Sequence, residues 1–102
     1  VTAASLSPRA RRELFEAAAW IADDNPMAAE GLIDAVEASA ELIGNHPRVG
    51  VLRPHLLPPP FRFRTLTGYP YLIVYNSERV PPEIVAIIHG ARNLPPLLRD
   101  LE

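Results

Sequence analysis

The spacing of apolar positions divides the chain into two unlike halves. In the first half they recur at helical intervals. Leu14, Ala17, Ala18, Ile21 and Ala22 share one face, which Phe15 and Trp20 widen, and a second stripe follows at Ala29, Leu32, Ile33, Val36, Ala40 and Ile43. In the second half the period changes. Phe61-Arg62-Phe63-Arg64-Thr65 alternates with period two, the pattern of a half-exposed strand. Tyr71–Tyr75 and Ile84–Ile88 are near-continuous apolar runs of β-branched and aromatic residues, the mark of central strands buried on both faces.

Local punctuation sets the boundaries. Ser7-Pro8 starts the first helix: the serine hydroxyl can accept from orphan backbone N–H groups, and proline at the first position has no N–H to leave unbonded. Asp23-Asp24-Asn25-Pro26 ends that helix and caps the next, which Gly44-Asn45 and His46-Pro47 stop. So short a connection forces an antiparallel helical hairpin. Turn residues at Thr67–Pro70 and Asn76–Pro82 separate the strands, Ala3–Leu6 reads as a short edge strand, and Asn93 caps a last helix from Pro96 to about Leu101. The predicted order is β-α-α-β-β-β-α in one domain, residues 1–102. It is an α+β fold in which the N-terminal strand and the helical hairpin cover one face of a three-to-four-stranded, mostly antiparallel sheet.

Composition narrows the setting. A chain of 102 residues supports a single core, and the absence of cysteine excludes a disulfide framework and thiolate metal sites. No apolar run approaches the roughly 20 residues that span a bilayer, and no signal-peptide core is present, so the expectation is a cytoplasmic protein with no membrane role. The net charge of −2 conceals an asymmetry. Glu13, Glu16, Asp23, Asp24, Glu30, Asp34, Glu37 and Glu41 stand in a stretch with no basic residue, whereas Arg48, Arg53, Arg62, Arg64, Arg79 and Arg92 face only Glu78 and Glu83. Either the basic half meets a polyanion or two solvated faces simply differ. The proline-rich segment His46–Pro60 is long for so small a domain, which is the habit of functional or mobile loops.

Familiar catalytic signatures are missing: no phosphate-binding glycine loop, no HExxH, no nucleophile elbow, and no ligand spacing that suggests a metal or cofactor. One constellation could do chemistry. Arg62 and Arg64 share a strand face, and His89 and Arg92 lie where the last strand ends. Converged, they could bind a phosphodiester, stabilise its transition state and protonate the leaving oxygen, as a metal-free ribonuclease would. No carboxylate, lysine or tyrosine stands ready as a base, and the same residues also read as solvated strand positions with His89 fixing a turn.

Five segments in register, Leu6–Leu14, Ile21–Pro26, His46–Gly50, Tyr71–Tyr75 and Val85–Leu94, resemble the RelE/ParE superfamily of type II toxins, and the ParE branch more than the RelE branch. The resemblance implies the topology derived above and a toxin held inactive by a ParD-like antitoxin in a hetero-oligomer, a heterotetramer, with operator DNA bound only through the antitoxin. It implies DNA gyrase as the target and an action that is not itself enzymatic. The alternatives are a RelE-like, ribosome-dependent mRNA endoribonuclease using His89, Arg62, Arg64 and Arg92, and an inactive member that only binds antitoxin. The chain lacks lysine, and Gly90-Ala91-Arg92 follows His89 with no tyrosine, both departures from the ribonuclease pattern. Phe15, Trp20, Leu32 and Glu37 are the expected antitoxin contacts. Arg48, Arg53, Arg64, His89 and Arg92 are the expected target contacts.

Overall fold

A computed structural model describes residues 2–101. Helix α1 (Pro8–Ala22) starts as its sequence dictates: the Ser7 hydroxyl accepts from the Ala10 N–H at 3.1 Å. Helix α2 (Pro26–Asn45) repeats the device, with Asn25 Oδ1 accepting from the Ala28 N–H at 3.1 Å. The remaining elements are strands β1 (Ser5–Leu6), β2 (Phe61–Thr65), β3 (Tyr71–Asn76) and β4 (Glu83–His89), helix α3 (Leu94–Leu98) and a 3-10 turn at Arg99–Leu101. The last helix therefore begins two residues before the expected Pro96, because Pro95 and Pro96 fit a first turn whose N–H groups need no partner.

The sheet order is β1-β4-β3-β2. β2, β3 and β4 form the expected antiparallel meander, and β1 adds to β4 in parallel, through Ser5 opposite Glu83 and Leu6 opposite Ile84. Strand alternation then sorts the side chains. Ile73, Tyr75, Ile84 and Ile87 face the helical hairpin, where they meet Leu32, Val36, Ala40 and Ile43 of α2. Phe63, Leu72, Val74, Ala86 and Ile88 face the other way.

That second face corrects an expectation. The sheet is covered on both sides, not one. Leu57 from the proline-rich segment and Leu98 from α3 are buried against it, each 1 % exposed. The segment is not a loose loop. Val51 exchanges two backbone hydrogen bonds with Phe63, each 2.8 Å, at the outer edge of β2. Periodicity could not reveal this, since a loop with one buried leucine has no period.

Three side chains depart from the expected helix faces. Phe15 and Trp20 do not widen the buried stripe of α1; they are 80 % and 75 % exposed. Ile33, placed in the α2 stripe, is 38 % exposed, while its neighbour Leu32 is wholly buried. Small residues explain the pattern: with Ala10 and Ala17 as the buried positions of α1, the helix lies close to the sheet and bulky flanking residues are turned outward.

Two long-range ties hold the layers in register. Arg9 donates to the Leu97 carbonyl at 2.6 Å and pairs with Glu13 at 3.4 Å. Glu13 in turn accepts from the Ile87 N–H at 3.0 Å, so a helix carboxylate closes the edge of β4 beyond the end of β1. Near the end of α2 the N-terminal segment crosses over Gly44, where a Cβ would meet the Thr2 carbonyl oxygen and stand 2.8 Å from Ala3 Cα. Only glycine lets the two backbones approach so closely. Among the described residues no helix is long and apolar enough to cross a membrane.

Candidate functional site

Two surfaces of opposite character stand out. The first is an apolar groove between α1 and α2. Leu14, Phe15, Ala18, Ala19 and Ala22 line one wall, Pro26, Ala29 and Ile33 the other, with Leu6 at one end and Arg11 and Glu30 as the charged groups. Its volume is about 680 Å³. The run of alanines makes the groove: side chains that stop at Cβ leave a channel between helices that larger residues would fill. Phe15, expected as a partner contact, borders this groove. Glu37 lies exposed one turn beyond Ile33 on the same helix, and Trp20 stands outside the groove in a separate cleft. Leu32 is corrected: at 0 % exposure it belongs to the core and offers no surface to a partner. The lining residues Leu14, Ala18, Ala22, Ala29 and Ile33 belong to the apolar stripes that helical spacing assigns to the core. The signal for a groove was the Ala17-Ala18-Ala19 run, too small to fill its own helix face.

The second surface is basic and follows the outer edge of β2. Arg62 Nη1 donates to the Gly50 carbonyl at 2.9 Å and approaches the Arg48 carbonyl at 3.4 Å. Arg53 stacks its guanidinium over the Phe63 ring at 5.8 Å. Arg64 lies between a cleft shared with α2, lined by Ser39, Leu42, Thr65 and Thr67, and one shared with Val51 and Arg53.

Tyr75 positions this edge from beneath. Its hydroxyl donates to the Pro47 carbonyl at 2.6 Å and accepts from the Gly50 N–H at 2.8 Å, so one side chain fixes both ends of the turn that carries Arg48. Gly50 admits the ring: a Cβ there would stand 2.7 Å from Tyr75 Cε1. Burial raises the Tyr75 pKa above its ordinary value of 10.0, a shift that the hydrogen bond from Gly50 and the charges of Arg62 and Arg64 oppose. Tyr75→Phe should leave a buried N–H and a half-buried carbonyl without this partner and destabilise the fold by about 1–3 kcal/mol, read by denaturant titration. The pH dependence has a definite sign. Because the folded pKa lies above the unfolded one, the contribution is intact below pH 10 and is lost as pH rises from there through the folded pKa. Denaturation at alkaline pH should show a fall that is shallower in Tyr75→Phe.

The proposed ribonuclease constellation is not gathered. Arg64 pairs across to Ile73, and Ile73 to Ile87, with His89 two residues further along β4. Two strand spacings and two residues separate Arg64 from His89 by about 10 Å and 7 Å in the two sheet directions. His89 and Arg92 share a cleft with Trp20, Glu16 and Tyr71 on the α1 side, whereas Arg62 is held by the Gly50 turn. His89 packs edge-on to Tyr71 with centroids 5.3 Å apart, and its Nδ1 accepts from the Ala91 N–H at 3.1 Å. That is the turn-fixing role, and β3 stands between the strands that carry Arg64 and His89. Among the described residues no three His, Cys, Asp or Glu side chains are grouped to hold a metal ion.

A solved structure titled "Chromosomal ParDE TA system from P. aeruginosa" contains a similar chain, with a TM-score of 0.69 and 18 % sequence identity over 84 % of this chain and 95 % of that one. At that identity the likeness establishes the fold. No curated protein matches the sequence. The family model described as "ParE toxin of type II toxin-antitoxin system, parDE" matches residues 4–94, which include helices α1 and α2, all four strands and the basic edge. The chain belongs to the ParE toxin family of type II toxin–antitoxin systems.

Proposed function

We propose that the protein poisons DNA gyrase, and that a ParD-like antitoxin neutralises it by laying an amphipathic segment into the groove between α1 and α2. The groove carries the reading. It is lined by apolar side chains, bordered by an exposed phenylalanine, and flanked by the acidic residues of the helical hairpin. A free antitoxin segment that orders only on binding buries such a channel with apolar anchors at helical spacing, and basic residues beside them would meet Glu30 and Glu37. Phe15 is the principal anchor and Ile33 joins it. Glu37 contributes at the rim. Two toxins and two antitoxins form a heterotetramer in which operator DNA contacts the antitoxin alone.

Arg48, Arg53, Arg64, His89 and Arg92 are the proposed target contacts, in two groups: the first three at the β2 edge, the others in the cleft beside Trp20. The toxin acts in the cytoplasm, where its target works, and acts by binding. Purified toxin added to gyrase and supercoiled plasmid should cause linear DNA, covalently trapped on the enzyme, to accumulate, and antitoxin should reverse the effect. Unaltered supercoiling, together with ribosome-dependent mRNA cleavage that His89→Ala slows by about a hundredfold, would replace this reading with the ribonuclease one.

A further inference from the structure

We infer that the open edge of β2, between Arg53 and Arg64, binds the phosphate backbone of duplex DNA. The inference stands apart from the gyrase proposal: it concerns a direct contact with nucleic acid and holds whichever enzyme the toxin acts on.

Charge is the first ground. From Leu42 to Ser77 the chain contains no aspartate or glutamate, yet it contains Arg48, Arg53, Arg62 and Arg64. Among the described residues the ion pairs are Arg9–Glu13 and Arg79–Glu83, both elsewhere. Among the described residues no carboxylate pairs with any of the four guanidinium groups of the edge.

Donor accounting is the second. Arg62 Nη1 is used by backbone carbonyls while its Nε, like that of Arg64, is buried without a partner; Arg64, half-buried, donates to no protein atom among the described residues. A buried guanidinium N–H without a partner is costly, and a phosphate, which accepts in the same plane from paired N–H groups, is its natural complement. Arg53 is held by stacking on Phe63, an arrangement that leaves its in-plane donors free.

Backbone direction is the third. The bridge to Val51 uses the N–H and C=O of Phe63. By the two-residue repeat of a strand, Thr65 points its own N–H and C=O to that same side, past the end of the bridge. The cleft there is lined by Gly50, Val51, Arg53, Phe63, Arg64 and Thr65 and measures about 180 Å³. One backbone N–H between two guanidinium groups makes a phosphate-sized cradle. Ser39 and Thr67 hydroxyls continue it on the helix side of Arg64.

The same features select the occupant. An acidic peptide pairing as a strand would need several residues of free edge, and here Thr65 is the last residue of β2 before the turn. Single-stranded nucleic acid would want exposed aromatic rings for stacking, and Phe63, the ring beneath Arg53, is 1 % exposed. A row of arginines with no base-stacking platform suits duplex phosphates.

The test is fluorescence anisotropy of a short labelled DNA duplex with antitoxin-free toxin, over a range of salt, and without gyrase. Binding should be weak, with Kd near 10⁻⁴–10⁻⁶ M at about physiological salt, and log K should fall with log salt at a slope of about −2 to −3, for two to three phosphates. Arg53→Gln with Arg64→Gln should reduce that slope by about 2 and affinity by about tenfold or more. Arg79→Gln should change neither. Should the double variant unfold, Arg53→Gln alone and the amide spectrum of the unaltered chain decide: the Thr65 resonance should shift on adding duplex. An unchanged slope in the variants, amide shifts centred on His89 and Arg92 instead, or displacement of the duplex by polyglutamate at equal charge concentration would overturn the assignment. The gyrase assay is read separately, so loss of DNA binding with poisoning intact would sink one proposal and spare the other.

Discussion

Phe15→Asp combined with Ile33→Asp is expected to weaken antitoxin binding by about a thousandfold, or about 4 kcal/mol, while the toxin still folds. Both residues border the same groove from facing helices, so a partner segment laid in it would contact both. Buried aromatic and aliphatic anchors each cost about 2 kcal/mol or more when truncated, and an aspartate adds the expense of desolvating a charge against the alanines of the channel. The stability cost is small by comparison. Phe15 is 80 % exposed and Ile33 is at the surface, so the change should stay near 1 kcal/mol, chiefly helix propensity. Glu37→Ala, at the rim, should cost less than about 1 kcal/mol in affinity and show mostly in salt dependence. Calorimetric titration with a ParD-like antitoxin, beside thermal melts of the free toxins, separates the effects. Full affinity in the double variant would place the antitoxin on another face.

The second large effect concerns the fold alone. Gly44→Val should destabilise the protein by about 2–4 kcal/mol and lower its melting temperature by about 10–20 °C. The added Cβ meets the backbone of Thr2 and Ala3, not a side-chain end that could swing away. The N-terminal segment must then lift off α2. With it would go the hydrogen bond from the Ala4 N–H to the Ala40 carbonyl, and the pairing of Ser5 and Leu6 with β4 would loosen. Hydrogen exchange should show the loss first at the Ala4, Ser5 and Ser7 amides. A melt unchanged from the parent would mean that the crossing relaxes without cost.

Much of the fold was legible because its elements carry short-range signals. Ser7-Pro8 and Asn25-Pro26 mark helix starts with chemistry that works within three residues, and both caps form as read. β3 and β4 were recognisable as central because both of their faces are buried, which removes the polar half of the alternation. The misplacements share a cause: each required knowing what lies opposite. Phe15 sits beside true core positions in any helical projection, and only the close approach of α1 through Ala10 and Ala17 turns it outward. Leu32 and Ile33 are adjacent in sequence, and a small rotation of α2 decides which is buried. Leu57 carries no periodic signal, yet it covers the second face of the sheet. The candidate site was legible as charge and not as geometry. The arginines were evident, but the division of Arg64 from His89 comes from strand order, and Tyr75 gave no sign that its hydroxyl would bridge Pro47 and Gly50.

The pairing of β1 with β4 has a consequence in time. β1 precedes the helical hairpin in sequence and β4 is the last strand of the meander, so the sheet closes only after β4 has been synthesised and has reached the N-terminal segment. The helical hairpin, built from local contacts, can form early, but the long loop closure that seats β1 must come last. During synthesis the alanine-lined channel, part of whose end is Leu6, precedes the basic edge in readiness. On the proposed assignment of the two surfaces, a nascent chain thus offers its antitoxin groove before it completes its target-facing edge.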